Sequence, residues 1–168
     1  MSVMQAPTFF LRLRAALLGL LLATALPALA APVLPADPDN GVDFRVISFH
    51  DVRPNVRASF ETSPDETAID ERTLAEVFAW LRHSGYHPVS LQQIIDARNG
   101  GKPLPSQPVL LTFDDGYRSA YTHVFPLLQR FNYPALFALV TSWLEVPEGQ
   151  PVHWGHKPAP RENFLLWR

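Results

Sequence analysis

The chain has 168 residues, a formal net charge of −2 at pH 7 and no cysteine. This length is that of one ordinary domain. The nearly balanced charge excludes a basic nucleic-acid-binding protein, and the missing thiols exclude disulfides and a lipid-bearing cysteine.

The first thirty residues are typical of a secretory signal peptide. Their only charges, Arg12 and Arg14, precede an apolar run at 15–26 and a small-x-small site at 28–30, which are the three parts of such a peptide. A transmembrane anchor is the alternative, but it needs about 20 consecutive apolar residues. We therefore expect cleavage after Ala30, export to the periplasm or cell envelope, and no integral membrane segment afterwards. Because two arginines leave with the peptide, the net charge changes from −2 to −4.

The remaining chain is predicted to begin with a proline-rich lead-in, residues 31–42, and to continue as one domain, 43–168. Phe44–His50 is β-rich and predicts a strand. The polar, proline-containing stretch 51–68 predicts a long loop. A helix is expected from Asp70 until the glycine at 85, because four apolar residues follow i, i+3, i+4, i+7 spacing: Leu74, Val77, Phe78 and Leu81.

The next predicted elements alternate between helices and strands. Ser90 can cap a short helix, Leu91–Arg98, and Val109–Phe113 is the strongest strand because every residue is apolar or β-branched. A helix over Tyr117–Phe131 and a buried strand over Ala135–Val140 follow. The inner face of that helix is predicted to consist of Tyr121, Val124, Phe125 and Leu128. This order predicts an α/β protein with a parallel sheet, either a barrel or an open sheet.

The last residues, Phe164–Arg168, form an apolar, helix-compatible run without a terminator. Natural C-termini are more often polar or capped. The pattern therefore predicts a C-terminally truncated chain that stops inside an element.

Two adjacent carboxylates, Asp114 and Asp115, follow the strongest strand and precede Gly116. Loops at the C-terminal ends of parallel strands form the active-site crevice of α/β proteins. Neighbouring carboxylates repel each other, and a divalent cation is the usual partner that keeps both ionised. Because neighbouring side chains of an extended chain diverge, one aspartate can bind metal while the other acts as general base. The alternative is a turn whose two aspartates cap the following helix.

The stretch Thr112–Gly116 (TFDDG) resembles the first motif of the NodB-type polysaccharide deacetylases, carbohydrate esterase family 4. Three further stretches resemble the exported poly-β-1,6-N-acetyl-D-glucosamine deacetylases of biofilm systems: Ser48–Val52, Val124–Leu128 and Pro134–Trp143. The resemblance covers residues 43–168. It implies a deformed (β/α) barrel, an N-acetylglucosamine polymer as substrate, and the polysaccharide export machinery as a partner.

The resemblance also implies roles for three residues. Asp114 matches the general base, Asp115 the carboxylate ligand of a divalent metal, expected to be zinc, and His50 the histidine that protonates the leaving amine. The family completes its metal site with two histidines of a later His-x3-x4-His motif, which this sequence lacks. Since a catalytic zinc normally has about three protein ligands, this chain by itself is expected to be inactive.

The other histidines have simpler interpretations. His83 and His87 lie at a helix C-terminus, where positive charge is favoured, and His123 is expected at the surface or rim of a helix. His153 and His156 could offer two ligands to a metal, but such pairs also occur in loops without a function.

Two tryptophans are relevant to a sugar substrate. Trp80 is predicted to lie in the core. Trp143, just past a predicted strand end, is expected to offer a stacking surface for a sugar ring.

Two other functions remain open. One is an exported carbohydrate-binding module that keeps a degenerate deacetylase fold without the metal. The other is a deacetylase of the same chemistry that acts on peptidoglycan or chitin.

Overall fold

The computed structural model describes residues 40–59, 61, 65–154 and 156–167. The predicted signal peptide and most of the predicted lead-in therefore lie outside the described residues. Within the described ranges, no helix combines the length and apolar character needed to cross a membrane.

The sheet that carries the candidate site has four parallel strands. Its central strand, β5 (Pro108–Phe113), pairs on one side with β1 (Arg45–Phe49). On the other side it pairs with β4 (His87–Pro88) near its start and with β6 (Leu136–Phe137) near its end. All six residues of β5 are buried, as expected for a parallel strand covered on both faces. The predicted α/β class with a parallel sheet is confirmed.

Helices cover both faces of β5. Helices α2 (Glu71–His83) and α4 (Phe125–Phe131) contribute to the apolar cluster that contains the odd-numbered β5 residues from 109 to 113. Helix α3 (Leu91–Arg98) packs instead with Leu110, which strand alternation places on the opposite face. The hydrophobic core therefore lies in two layers, one on each side of the central strand.

Local sequence signals explain where α2 and α3 begin and end. Asp70 is the N-cap of α2, and Gly85, with a φ of 76°, follows its last turn, the position where glycine is favoured. At the start of α3, Ser90 Oγ accepts a hydrogen bond from the Gln93 amide at 3.2 Å, and the Gln93 side chain accepts one from the Ser90 amide at 2.8 Å. This reciprocal pair is a capping box. Both predicted helices are confirmed.

The stretch predicted as a long loop, 51–68, contains regular structure. Strand β2 (Val52–Arg53) pairs in parallel with β3 (Ile69–Asp70), and the one-turn helix α1 (Val56–Ser59) lies between them. The prediction of a loop was wrong there because two-residue strands and single turns are too short to produce a periodic apolar pattern.

The helix predicted over Tyr117–Phe131 begins later and contains a π-helical turn. Residues Ala120–Val124 are π-helical and continue directly into α4. A π turn holds more residues than an α turn, so the side chains around it rotate away from their predicted positions. Two residues predicted on the inner face, Tyr121 and Phe125, are 70% and 45% exposed. The other two are buried as predicted.

One prediction near the end of the chain was also wrong, and the helix-compatible run that begins at Phe164 starts with an extended residue. Of the predicted buried strand Ala135–Val140, only β6 joins the sheet, and its residues are partly buried. Phe164 is extended and forms an antiparallel bridge with Tyr117, after a 3₁₀ turn at Arg161–Asn163. Tertiary pairing with the segment after β5 therefore overrides the helix compatibility of this run.

Arg161 holds together the last part of the described chain. This part contains α5 (Thr141–Leu144) and an antiparallel hairpin of β7 (Val152–Trp154) and β8 (Lys157–Ala159). Arg161 is only 4% exposed. Its guanidinium donates hydrogen bonds of 3.0–3.3 Å to three backbone carbonyls, those of Leu144, Val146 and Phe164. One buried side chain thus joins the segment at the end of α5 to the turn that contains Arg161 and Phe164.

Arg161→Met is expected to lower the free energy of unfolding by about 2 kcal/mol, because methionine fills similar space but leaves three carbonyls without their donor. Urea denaturation of the variant and the parent measures this difference. The exposed Arg130→Met is the matched control and should change stability by less than about 0.5 kcal/mol. Equal effects of the two substitutions would contradict the bridging role of Arg161.

Candidate active site

Parallel pairing brings the predicted site residues to one edge of the sheet. His50 directly follows β1, and Asp114 directly follows β5. The register pairs Phe49 with Phe113, and the Asp114 amide continues the ladder by donating to the Phe49 carbonyl at 2.9 Å. The two strand ends are therefore adjacent, at the edge where α/β proteins place their active sites.

Two hydroxyl side chains hold Asp114 in place. Ser48 Oγ donates a hydrogen bond to Asp114 Oδ2 at 2.8 Å and lies 2.6 Å from Thr112 Oγ1. Since the serine hydroxyl has one proton, Thr112 donates to Ser48, and the chain of hydrogen bonds ends on the carboxylate. Sequence reasoning assigned no role to Ser48 or Thr112. The signal was available, because each lies two residues before His50 or Asp114 and side chains two apart share one face of a strand.

A left-handed turn redirects Asp115 away from Asp114. Asp115 and Gly116 have φ angles of 68° and 71°, a conformation that aspartate tolerates better than most residues and that glycine adopts freely. A Cβ at Gly116 would also lie 3.1 Å from the Leu139 side chain. The helical segment begins only at Ala120. The alternative, in which the aspartates cap the following helix, is therefore wrong.

One oxygen of the Asp115 carboxylate lacks a hydrogen-bond partner within the part of the chain that the structure describes. Its side chain is 19% exposed, and its Oδ2 atom is buried without a hydrogen-bond partner among the described residues. His50 Nε2 lies 4.0 Å from that atom, too far for a hydrogen bond. Burial raises the pKa of Asp115; the positive charge of His50 opposes this shift, and the charges of Asp114 and Asp65 add to it. A buried, unpartnered carboxylate oxygen is a group that a bound cation would satisfy.

The described residues include one candidate metal ligand at the strand ends. Asp115 fits the role of a carboxylate ligand, but within the described ranges no group of three or more His, Cys, Asp or Glu side chains could hold an ion. His153 and His156, at the β7–β8 hairpin, are exposed and belong to no such group. The described residues alone therefore do not form a complete metal site.

Two of the remaining histidines have partners away from the site. His123 Nδ1 lies 2.9 Å from Glu71 Oε2 and forms an ion pair when protonated. His87 Nδ1 lies 2.7 Å from the Ser106 carbonyl oxygen. His83, in the last turn of α2, is exposed. The partly buried His123 agrees with its predicted place at the rim of a helix, and His83 lies in the last turn of α2 as predicted. His87 instead lies in β4, beyond the helix C-terminus predicted for it.

A buried polar network links the segments that follow the two strand ends. Asp51 accepts hydrogen bonds from Arg53 Nε and from Ser119 Oγ, both at 2.6 Å. Arg53 also lies 3.8 Å from the carboxylate of Asp65, which accepts a hydrogen bond from the Tyr117 hydroxyl at 3.1 Å. The network joins residues from three separate parts of the chain, around 51–53, at 65 and at 117–119, so sequence reasoning missed it. It anchors the chain after β1 to the turn after β5.

Asp65 is expected to make stability depend on acid pH. Its burial disfavours the charge, but hydrogen bonds from Thr67 and Tyr117 and the charge of Arg53 outweigh this and lower the pKa below 3.8. A carboxyl group with a lower pKa in the folded state stabilises the fold above its unfolded pKa, and that contribution is lost as pH falls through the folded value.

Asp65→Asn should therefore unfold at a lower temperature than the parent at pH 7, and the difference should shrink as pH falls below about 4. Thermal unfolding across pH measures this, with the exposed Asp96→Asn as the control that shows no such trend. A difference that stays constant down to strongly acidic pH would contradict the charge-based account.

The structure differs from the predicted burial of two tryptophans. Trp80, predicted in the core, is 37% exposed and stacks on Tyr86 with a centroid distance of 5.2 Å. Trp143, predicted as a sugar platform, is partly buried between Phe164 and Trp154, at centroid distances of 5.0 and 6.2 Å. Trp143 is thus part of the packed interior of this region, and Trp154 is the more exposed ring.

Comparisons with known proteins agree with this arrangement. Residues 101–154 match the polysaccharide deacetylase family. The chain is 47% identical over 133 residues to the poly-beta-1,6-N-acetyl-D-glucosamine N-deacetylase of Escherichia coli strain K12, which covers 78% of this chain and 18% of that protein. It therefore spans less than a fifth of this curated relative.

Two solved structures have similar folds. One is the BpsB deacetylase domain of Bordetella bronchiseptica, with 51% identity, a TM-score of 0.64, and coverage of 78% of this chain and 50% of that one. The other is a de-N-acetylase of Aggregatibacter actinomycetemcomitans, with 40% identity, a TM-score of 0.67, and coverage of 74% and 47%. By sequence and by fold, this part of the chain is therefore similar to the domains of known polysaccharide deacetylases.

Proposed function

We propose that the protein containing this chain hydrolyses N-acetyl groups from an exported N-acetylglucosamine polymer, with poly-β-1,6-N-acetyl-D-glucosamine of a biofilm matrix as the substrate. The observation that carries the proposal is the meeting of Asp114, Asp115 and His50 at adjacent strand ends. A relative named for deacetylation of this polymer is 47% identical across the same region. Because the chain spans half or less of these relatives, the activity is proposed for the whole protein.

Asp115 would be one ligand of a divalent cation, for which zinc is the candidate, and the other ligands would come from beyond the described cluster. The family resemblance implies two histidines for that role. When bound, such a cation polarises a carbonyl group and lowers the pKa of coordinated water. The unpartnered, buried Oδ2 of Asp115 supports the ligand assignment.

Asp114 would act as the general base and His50 as the general acid. The hydrogen bond from Ser48 fixes Asp114 Oδ2 and orients the carboxylate to receive a proton from the attacking water. His50 Nε2, 4.0 Å from the Asp115 carboxylate, would hold the proton that goes to the amide nitrogen as the C–N bond breaks. Acetate and a glucosamine unit result.

We also propose a location and a complete fold for the protein. Residues 1–30 would direct export, so that the enzyme meets its polymer in the periplasm or cell envelope, next to the polysaccharide export machinery. The four parallel strands would be one part of a deformed (β/α) barrel. The composition of residues 12–30 and the likeness to solved deacetylases support these two proposals.

The proposed function is tested with the whole protein and a panel of acetylated oligosaccharides. Acetate release should be fastest from β-1,6-linked N-acetylglucosamine oligomers and should stop when a chelator is added. Faster release from chitin or peptidoglycan fragments would replace the proposed substrate. Polymer binding without acetate release under any metal condition would instead identify a carbohydrate-binding module.

A further inference from the structure

An aromatic row leads from the candidate active site to the protein surface. Tyr117, two residues after Asp115, packs on Phe164 with a centroid distance of 5.0 Å. Phe164 packs on Trp143 at 5.0 Å, and Trp143 packs on Trp154 at 6.2 Å. The row is therefore continuous from the turn that carries the aspartates to the β7–β8 hairpin.

Trp154 ends this row in solvent. On β7, strand alternation places Trp154 on the same face as Val152, which is fully buried in the cluster around Phe164. Trp154 thus contacts Trp143 on the side that faces the cluster, yet 47% of the residue remains exposed. Ligand-binding sites are commonly lined by aromatic side chains together with a few placed polar groups.

The neighbours of Trp154 supply those polar groups. Lys157 is its register partner across the hairpin, so the two side chains stand on the same face of the ribbon. Lys157 is exposed, and its ammonium group offers up to three hydrogen-bond donors and no acceptor. Hydroxyl and acetamido oxygens of a sugar are suitable acceptors, while the C–H face of a sugar ring suits the apolar face of an indole.

We propose that Trp154 and Lys157 form a subsite for one N-acetylglucosamine unit of the polymer, a unit farther along the polymer than the one held at Asp114 and Asp115. The inference rests on the proposed function for the identity of the polymer. Trp143 packs against the Trp154 ring and Phe164 packs against Trp143, and these contacts set the position of Trp154 relative to the active-site turn. The subsite therefore contributes to the binding of long chains and not to the chemistry.

The test measures binding of β-1,6-linked N-acetylglucosamine oligomers, from the monomer to the hexamer, to the whole protein by calorimetry. Asp114→Asn serves as the background so that no ligand is consumed. In the Asp114→Asn protein with Trp154 intact, affinity should rise once the oligomer is long enough to reach Trp154. Trp154→Ala should lower the affinity for the hexamer roughly fivefold to tenfold, a range typical of one aromatic contact, and leave monomer binding unchanged.

Two further variants separate binding from folding. Trp154→Phe keeps an aromatic ring and should retain most of the hexamer affinity. Trp80→Ala removes a similarly exposed tryptophan on α2 and should leave the hexamer affinity unchanged. Unchanged hexamer affinity in Trp154→Ala, an equal loss for monomer and hexamer, or no oligomer binding by the parent would each overturn the subsite.

The outcome is distinguishable from a failure of the proposed function. If affinity increases with oligomer length and depends on Trp154, but the protein releases no acetate, the subsite proposal stands and the proposed enzymatic function is rejected. If the protein releases acetate and the KM for the polymer is the same in Trp154→Ala and the parent, the proposed enzymatic function stands and the subsite proposal is rejected.

Discussion

Asp114→Asn is expected to lower the rate of acetate release by the whole protein about 10²–10⁴-fold, the range typical for loss of a general base. The amide retains the shape of the carboxylate, and its oxygen can still accept the hydrogen bond from Ser48, so folding should be preserved. Initial rates of acetate release from the β-1,6-linked oligomer, together with thermal unfolding, measure both effects.

The control for Asp114→Asn is Asp96→Asn, at an exposed aspartate on α3. This substitution makes the same change of charge away from the strand ends and should leave the rate unchanged. Equal activity in Asp114→Asn and the parent would remove Asp114 from the role of base. A rate loss accompanied by an equal loss in Asp96→Asn would show that net charge, and not position, matters.

Asp115→Asn is expected to have two opposite effects. In the whole protein it should abolish tight binding of a divalent cation, because a neutral amide oxygen is a much weaker ligand than a carboxylate. In the metal-free protein it should raise the free energy of unfolding by about 1 kcal/mol, because it removes a buried charge whose Oδ2 has no hydrogen-bond partner among the described residues. Zinc titration calorimetry and urea denaturation in chelator measure the two effects.

Asp115→Ala distinguishes the effect of removing the charge from the effect of the backbone conformation at this position. It should also lose the metal, but without the gain in stability, because alanine disfavours the positive φ of 68° at this position whereas asparagine tolerates it. Zinc affinity unchanged in Asp115→Asn would contradict the ligand assignment. A loss of stability in the metal-free Asn variant would show that the carboxylate is already satisfied in the folded protein.

Much of the fold could be predicted from the sequence because its signals are local. The all-apolar strand before Asp114, the spacing of Leu74 to Leu81 and the cap at Ser90 each depend on residues close together in the chain. Such patterns survive into the folded state when the element is long and its two faces differ in polarity. The motif of two aspartates after the central strand was visible for the same reason.

The π-helical turn at Ala120–Val124 could not be predicted, because an apolar pattern with α-helical spacing does not reveal one extra residue per turn. This is why Tyr121 and Phe125 were wrongly placed on the inner face. The extended course of Phe164 likewise depends on pairing with Tyr117, a contact between residues far apart in sequence.

Residue types and their spacing were enough to identify the side chains that could carry the chemistry: a carboxylate pair after a buried strand and a histidine after another. The tertiary structure was needed to establish that parallel pairing of β1 with β5 brings them to one edge and that Ser48 and Thr112 hold Asp114. It was also needed to establish that a left-handed turn leaves Asp115 Oδ2 buried and without a hydrogen-bond partner among the described residues. It also showed that the Trp154 ring, and not the Trp143 ring, is exposed to solvent. The physical reason is that residue type and spacing are properties of neighbouring positions, whereas burial and partnership depend on segments that meet only in the folded chain.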